Sequence, residues 1–356
     1  MKVLIIAPYY APYTEVPAIR VISLSKQLVD QGHEVTVYCY SRDMLKRITD
    51  ESSLKAKSPE KVEIINFDIK KSKIPAFSDI MHGHYFLNSL KKNVDLNEYD
   101  IALCSLGPFY TLEATSYITK KIPYILDFRD LGAISVRPKR ENVKEVKSPF
   151  MKVLKKVFYR MLFNRERKAV NCASTIVVVS QTDWDMMQKA YHIPENKMLL
   201  ASNGYDEEKL KNLILREKDK DCIIGFVFGK FMYYSIERAV SLVKAVDTLR
   251  KQGYKAVSYT HLDVYKRQVY ILPSIREGLN VSLMEALASG LPVVCGRIRG
   301  NVDLVEEENC LFDPMDEAGI RNTVEYAIAN KAKLGQANLE KIKLFNLTTV
   351  KDLRCV

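Results

Sequence analysis

The sequence predicts an α/β protein of two doubly wound, parallel-sheet domains, and three observations carry that prediction. Short apolar runs alternate with amphipathic stretches, the pattern of βαβ units whose strands are covered by helices on both faces. A chain of 356 residues, 47% of them hydrophobic, is long enough for two buried cores. After Asn203-Gly204-Tyr205-Asp206 a charged stretch, KLKNLILREKDKD, precedes a fresh apolar run. The boundary therefore falls there, giving domains 1–210 and 211–356.

Val3 to Ile6 is the first strand, and the loop from Ala7 to Pro17 leads into a helix whose apolar face is Ile19, Ile22, Leu24 and Leu28. Gly32 turns the chain out of that helix into a second strand, Glu34 to Tyr38. Later strands are expected at Ile101 to Ser105, Tyr124 to Asp127 and Thr175 to Ser180. The second domain opens with a strand, Ile223 to Gly229, and a helix, Glu237 to Gln252, with apolar Ala239, Val240, Leu242, Val243, Val246 and Leu249.

The pattern then breaks. Val257 to Gln268 reads VSYTHLDVYKRQ and runs straight into another buried strand, Val269 to Leu272. A doubly wound domain needs further βα units here, and at about 30 residues each roughly 60 are absent. The peptide back-translates as GTC-TCT-TAT-ACA-CAT-CTA followed by GAT-GTG-TAT-AAG-AGA-CAG, an inverted repeat centred inside the Leu262 codon. It reads as two transposon-end sequencing adaptors joined back to back and translated in frame. Val257 to Gln268 is thus expected to be a non-native scar and the second domain incomplete, the alternative being a native polar loop. His261 and Asp263 are set aside with it.

The formal net charge is +11, and most of it sits in one place. Between Arg137 and Lys168 there are twelve Lys or Arg against three Glu. Within that region PFMKVLKKVFYRMLF sets Phe150, Met151, Leu154, Val157, Phe158, Met161 and Leu162 at helical spacing, with Lys152, Lys155, Lys156 and Arg160 between them. The pattern suits an anionic membrane surface bound through 148–168, or else an ordinary amphipathic helix packed on its own domain; nucleic acid is not the expected partner. The seven cysteines are scattered without a C-x-x-C pair, as in a reducing compartment. MKVLIIAPYY suits a buried strand rather than a signal peptide or a membrane span, so the expected location is cytoplasmic, peripheral to the inner face of the membrane.

The strongest chemical signal is ILPSIREGLNVSLMEALASGLPVVCGRIRGN. Glu277 follows a buried strand, Gly278 lets backbone approach a ligand, and Glu285 lies on the next helix, at the carboxyl edge where open α/β sheets bind ligands. Carboxylates suit sugar hydroxyls because each has two acceptor oxygens, and helix-start amides near Leu279 and Asn280 suit a diphosphate. The segment PSIREGLNVSLMEALASGLPVV resembles the E-x7-E segment of retaining glycosyltransferases of family 4. That resemblance implies the GT-B fold, two Rossmann-like domains facing a cleft, with no metal and no cofactor. It also implies that Glu277 contacts the transferred sugar, as a catalytic group, and Glu285 the ribose of a nucleoside-diphosphate donor, taken here as a UDP-sugar. RGNVDLVEEENCLFDP resembles the family's continuation.

The N-terminal half resembles the same family on its own account, through PYYAPYTEVPAIRVISLSKQLVDQGHEVTVY, SLGP, LDFRD, Ser180 after VVVS, and NGYD. These segments recur in that order in members that build capsule, lipopolysaccharide or exopolysaccharide, which implies a lipid-linked saccharide as acceptor. Asp127 and Asp130 are candidates to orient the acceptor hydroxyl, and Arg129, Ser105 and Gly107 to bind the acceptor; a structural Asp127–Arg129 pair is the competing reading. For the departing diphosphate Lys230 offers one positive charge and Arg238 or Arg276 a second. His33 reads as a helix-to-strand junction, His82 and His84 lack a third ligand, and Asp183-Trp184-Asp185 matches a metal-binding D-x-D only in spelling. The expected activity is sugar transfer to a lipid-linked saccharide or its precursor. The alternatives are an inactive chimera of such an enzyme and a basic surface-binding module without chemistry.

Overall fold

The computed structural model describes residues 1–69, 78–135, 149–205, 210, 224–227, 236–259, 269–274 and 278–345. The chain divides into two compact units, Met1–Val179 with Asp183–Leu200, and Ser180–Thr182 with Ala201–Val356. The division follows Leu200, ahead of the expected 210/211, because the chain after it bonds within the second unit. Asn203 Nδ2 donates to the Leu279 carbonyl at 3.1 Å, and the Tyr205 amide donates to the Phe345 carbonyl at 3.2 Å.

The first unit holds a seven-stranded parallel sheet made of β1 (Lys2–Ile6), β2 (Glu34–Tyr40), β3 (Val62–Phe67), β4 (Ile101–Leu106), β5 (Tyr124–Phe128), β6 (Thr175–Val178) and β7 (Met198–Leu200), in the order β3-β2-β1-β4-β5-β6-β7. Strand residues alternate between two cores, as a period of two requires. Leu4, Ile6, Tyr38 and Leu126 join a large cluster with Phe86, Leu90, Ala169, Val170 and Met187, whereas Val3, Ile5, Val35 and Val37 join a smaller one with Tyr10 and Val21. Burial on both faces is why these strands read as continuous apolar runs.

The helix Val16–Asp30 buries Ala18, Val21 and Ser25, with Ile22, Leu24 and Leu28 packed partly against the same cluster. Ile19, expected on that face, is 46% exposed. The helix ends as anticipated at Gly32: the Gly32 amide bonds to the Val29 carbonyl and the His33 amide to that of Leu28, with Gly32 at φ +83°. Strands β3 and β7 are additions to the sequence reading. Only Phe67 is buried in β3, an edge strand whose Glu63 and Asn66 broke the apolar run, and β7 is only three residues long.

The second unit has a five-stranded parallel sheet of β8 (Ile224–Val227), β9 (Ala256–Tyr259), β10 (Val269–Leu272), β11 (Val293–Gly296) and β12 (Leu311–Phe312), ordered β12-β11-β10-β8-β9. Every residue of β10 and β11 is buried. In the helix Ile236–Lys251, where burial is described from 240 onward, Leu242, Ala245, Val246 and Leu249 are buried; Val240 and Val243, expected to pack inward, are 41% and 52% exposed. Val257, Ser258 and Tyr259, the first residues of the suspected scar, pair with Gly225, Phe226 and Val227 in edge strand β9, and 260–268 lie outside the described residues.

Candidate functional site

At the carboxyl edge of the first sheet, β4 and β5 run in register with Ser105 beside Asp127. Asp127 is 3% exposed and Ser105 fully buried. A carboxylate removed from water must be paired. Its partner is Arg20, from the helix Val16–Asp30: Nη2 donates to Oδ1 at 2.8 Å and Nε to Oδ2 at 3.2 Å, while Ser105 Oγ donates to Oδ2 at 3.2 Å. The structural Asp–Arg pair therefore exists, but with Arg20 in place of Arg129.

Arg129 turns the other way. Its Nη2 donates to the Gly107 carbonyl at 2.7 Å and its Nε reaches the Leu106 carbonyl at 3.4 Å. Burial pulls its guanidinium below the ordinary arginine range, and Asp127 beside it pulls it back up. Gly107 has φ +131°, and a Cβ there would stand 2.8 Å from Arg129 Nη2, so both the backbone and the neighbour call for glycine. Asp130 is exposed, and its Oδ1 accepts the Leu131 amide at 2.8 Å. The five first-unit residues expected from sequence thus lie together, Asp127 and Ser105 inside and Asp130 at the surface.

A further carboxylate adjoins this loop. Glu166, on the helix Pro149–Cys172, is 2% exposed; its Oε2 accepts the Ala133 amide at 2.8 Å and its Oε1 the Tyr191 hydroxyl at 2.5 Å. Burial raises its carboxyl to about 7, against which the bonds from Tyr191 and Ala133 pull downward. Sequence reasoning counted Glu166 only as one acid in a basic run. Arg20, between Ile19 and Val21 on an amphipathic helix, was missed as well.

In the second unit, Gly278, Leu279 and Asn280 follow β10, whereas Glu277, Arg276 and Lys230 lie outside the described residues and nothing is described of the Arg238 side chain. Asn280 caps the helix Val281–Ala288: its Oδ1 accepts the Leu283 amide at 3.0 Å and the Ser282 hydroxyl at 2.7 Å. Glu285 on that helix is buried, at 9% exposure. Leu279 is buried, and its carbonyl accepts Asn203. The loop after β11 comes so close that a Cβ on Gly300, at φ +78°, would collide with the Gly278 carbonyl. Asn301 is fully buried; its Nδ2 donates to the Gly296 carbonyl at 3.0 Å, and its Oδ1 has no hydrogen-bond partner. Gly278 thus packs backbone to backbone against the loop after β11.

The histidines diverge: His82 meets the Tyr110 ring edge-on and His84 bonds to Asn88. Among the described residues no group of three or more His, Cys, Asp or Glu is placed to hold a metal.

Two parallel-sheet units are the architecture of the GT-B fold, and solved structures share that fold over nearly the whole chain. A sucrose-phosphate synthase from Thermosynechococcus elongatus superposes with a TM-score of 0.67 at 14% identity, covering 99% of this chain and 96% of that one. WaaG, a glycosyltransferase involved in lipopolysaccharide biosynthesis, gives 0.61 at 13% identity over 98% and 97%. Anabaena HepE in complex with UDP gives 0.60 at 14% over 99% and 97%. The particular family follows from sequence: residues 18–209, more than half of the chain, match Glycosyltransferase Family 4, and the chain belongs to it. Residues 261–330 match Glycosyl transferases group 1.

Among curated relatives, a probable sucrose-phosphate synthase of Vicia faba is 32% identical over 122 residues, 30% of this chain. The UDP-Gal:alpha-D-GlcNAc-diphosphoundecaprenol alpha-1,3-galactosyltransferase of Escherichia coli is 23% identical over 194 residues, 43% of this chain. The matches span 12% of the plant enzyme's length and 49% of the bacterial one's.

The Arg20–Asp127 pair makes a direct prediction. Arg20→Ala leaves a buried carboxylate unpaired and lowers unfolding free energy by about 3–5 kcal/mol, whereas Arg20→Met with Asp127→Leu recovers most of that loss. Urea unfolding of both variants measures the difference.

Proposed function

We propose that this glycosyltransferase is a retaining enzyme that moves a sugar from a UDP-sugar to a lipid-linked saccharide or its precursor in the synthesis of a surface polysaccharide. The observation that carries the donor half is the close backbone approach of Gly278 and Gly300 at the carboxyl edge of β10 and β11, with Glu285 buried on the helix that follows β10. On this reading Glu277 faces the transferred sugar, Glu285 takes the ribose hydroxyls, and Lys230 with Arg276 or Arg238 balances the departing diphosphate. The HepE structures hold UDP and UDP-glucose, which supports the donor class. The diphosphoundecaprenol-linked acceptor named for the Escherichia coli relative supports the acceptor class. Asp130 then orients the acceptor hydroxyl, Arg129 with Gly107 stands at the acceptor phosphate, and buried Asp127 and Ser105 hold that edge in place.

The helix Pro149–Cys172 is the proposed membrane contact, within 148–168. Val153 and Val157 are 61% and 59% exposed, beside exposed Lys156 and Arg160, so apolar and cationic side chains share one surface. Val157, Arg160, Met161, Asn164, Arg165 and Lys168 line an open groove of about 520 Å³ there. No helix among the described residues is long and apolar enough to cross a membrane. On this reading the contact is peripheral, on the cytoplasmic leaflet.

A second reading is favoured by one observation, that Val257 to Gln268 is a peptide an inverted repeat can encode. On that reading the chain is an inactive chimera with a shortened second domain. The edge position of β9 supports it, since an edge strand adds to a sheet without reordering its neighbours.

Three outcomes test these readings. Calorimetry shows the wild-type chain binding a UDP-sugar, and Glu285→Gln weakening that binding tenfold or more, the range for a hydrogen bond to a charged group; silence with every UDP- and GDP-sugar sinks the transferase reading for this chain. Converting Lys152, Lys155, Lys156 and Arg160 to Gln lowers partitioning onto anionic vesicles about a hundredfold or more, since each cation near such a surface is worth about 1 kcal/mol; unchanged flotation refutes the membrane contact. Amplification across the locus from source DNA returns a longer product without the repeat, and a product that encodes VSYTHLDVYKRQ overturns the chimera.

A further inference from the structure

Arg129 and Asp130 stand on a short loop fastened at both ends. At its start, Arg129 is tied to the Leu106 and Gly107 carbonyls that follow β4. At its end, the Ala133 amide opens the short helix Gly132–Ser135 and donates to Glu166. Glu166 carries that bond to two helices at once, because it sits on Pro149–Cys172 and accepts Tyr191 from the end of Gln181–Tyr191. Phe163 stacks on the Tyr191 ring at 4.9 Å and helps to enclose the carboxylate. Gly132 has φ +51°, and a Cβ on it would run into both Glu166 oxygens. A loop this short, pinned at both ends, leaves exposed Asp130 little freedom of position.

We propose that Glu166 is a positioning residue for the acceptor: by fastening Ala133 to two helices it fixes where Arg129 and Asp130 stand, and so sets acceptor affinity. The proposal rests on the reading of Arg129 and Asp130 as acceptor-side groups. Glu166 itself touches neither substrate nor reacting atoms. The titratable groups tied to it, among the described residues, are Tyr191 on Gln181–Tyr191 and, through Tyr191, Tyr159 on its own helix, while exposed Arg165, Arg167 and Lys168 flank it in sequence. Of these, Tyr191 bonds to it.

The loop is consequently linked to protons. The carboxyl is raised to about 7 when buried and returns toward its ordinary value of 4.5 when the loop opens and water reaches it. A raised acid stabilises the closed loop fully below the open-state value, and that contribution is lost as pH climbs through about 7. Amide protection at Ala133, corrected for intrinsic exchange, therefore falls by up to about tenfold per pH unit between roughly 5 and 7. Glu166→Gln cannot ionise, keeps a carbonyl acceptor for Ala133 while presenting an amide donor to the Tyr191 oxygen in place of the acceptor that Glu166 offers, and gives a flat profile.

The test is hydrogen exchange at 131–135 on the full chain, with calorimetry using farnesyl diphosphate as a lipid-diphosphate probe and UDP as a donor probe. Glu166→Ala raises exchange at Gly132 and Ala133 tenfold or more and weakens farnesyl diphosphate binding at least fivefold, with UDP binding unchanged. Gly132→Ala attacks the same contact from the loop side and gives the same result. Should both variants fail to fold, the flat exchange profile of Glu166→Gln against the sloping wild type still decides. The proposal is overturned by unchanged exchange in folded Glu166→Ala, by faster exchange with unaltered farnesyl diphosphate binding, by a Gln variant that keeps the wild-type slope, or by a wild type that binds UDP and not farnesyl diphosphate. A wild type that fails to bind UDP sinks the transferase reading instead.

Discussion

The buried carboxylate of Asp127 constrains much of the first unit. Its residue is 3% exposed at the end of a strand covered on both faces, so its charge has to be met from within the protein. Arg20 meets it, and in doing so ties the helix Val16–Asp30 to the carboxyl edge of the sheet. With Asp127 so occupied, Arg129 is directed to the Leu106 and Gly107 carbonyls. A Cβ on residue 107 would stand 2.8 Å from that guanidinium, and the φ of +131° there favours glycine. Ser105, beside Asp127 in the next strand, adds a third donor to the same carboxylate. One desolvated charge thus accounts for residue choices on a helix, two strands and two loops.

The second unit solves its edge differently, with neutral groups and close backbone. Gly300 lies against the Gly278 carbonyl, and a Cβ on Gly296 would collide with the Ser274 carbonyl, so the loops after β10 and β11 are in backbone contact. Two asparagines complete the arrangement, Asn280 capping the next helix and Asn301 holding the Gly296 carbonyl. Amides satisfy such ends without the desolvation cost of an ion. Glu285, on the helix that Asn280 caps, is the buried carboxylate nearest in sequence to this edge.

What the sequence made legible was whatever depends on local pattern. The strands at Lys2–Ile6, Ile101–Leu106 and Tyr124–Phe128, and the turn at Gly32, follow from continuous apolar runs and a residue that tolerates positive φ. The E-x7-E segment fixed Glu285 on a helix after a buried strand for the same reason. Facing was less legible: Ile19, Val240 and Val243 are as apolar as their buried neighbours yet point outward, because the angular position of a helix is settled by what it packs against. Arg20 and Glu166 were illegible for a stronger reason. Each acquires its role from a partner on a distant segment, Asp127 in one case and Ala133 and Tyr191 in the other, and nothing in the neighbouring sequence encodes that meeting.

Glu166 also shows why a local count of charge misleads about a buried group. It is one of three acids among twelve Lys and Arg between Arg137 and Lys168, and a cationic setting ordinarily favours an ionised carboxylate. Its carboxyl is nevertheless raised, to about 7. The neighbouring Arg165, Arg167 and Lys168 are exposed, where water and salt screen them, while Glu166 points inward between Ala133 and Tyr191. Desolvation acts on the carboxylate at contact distance, and the cations act through solvent. Burial wins, so an acid in a strongly basic region of the chain is held near neutrality.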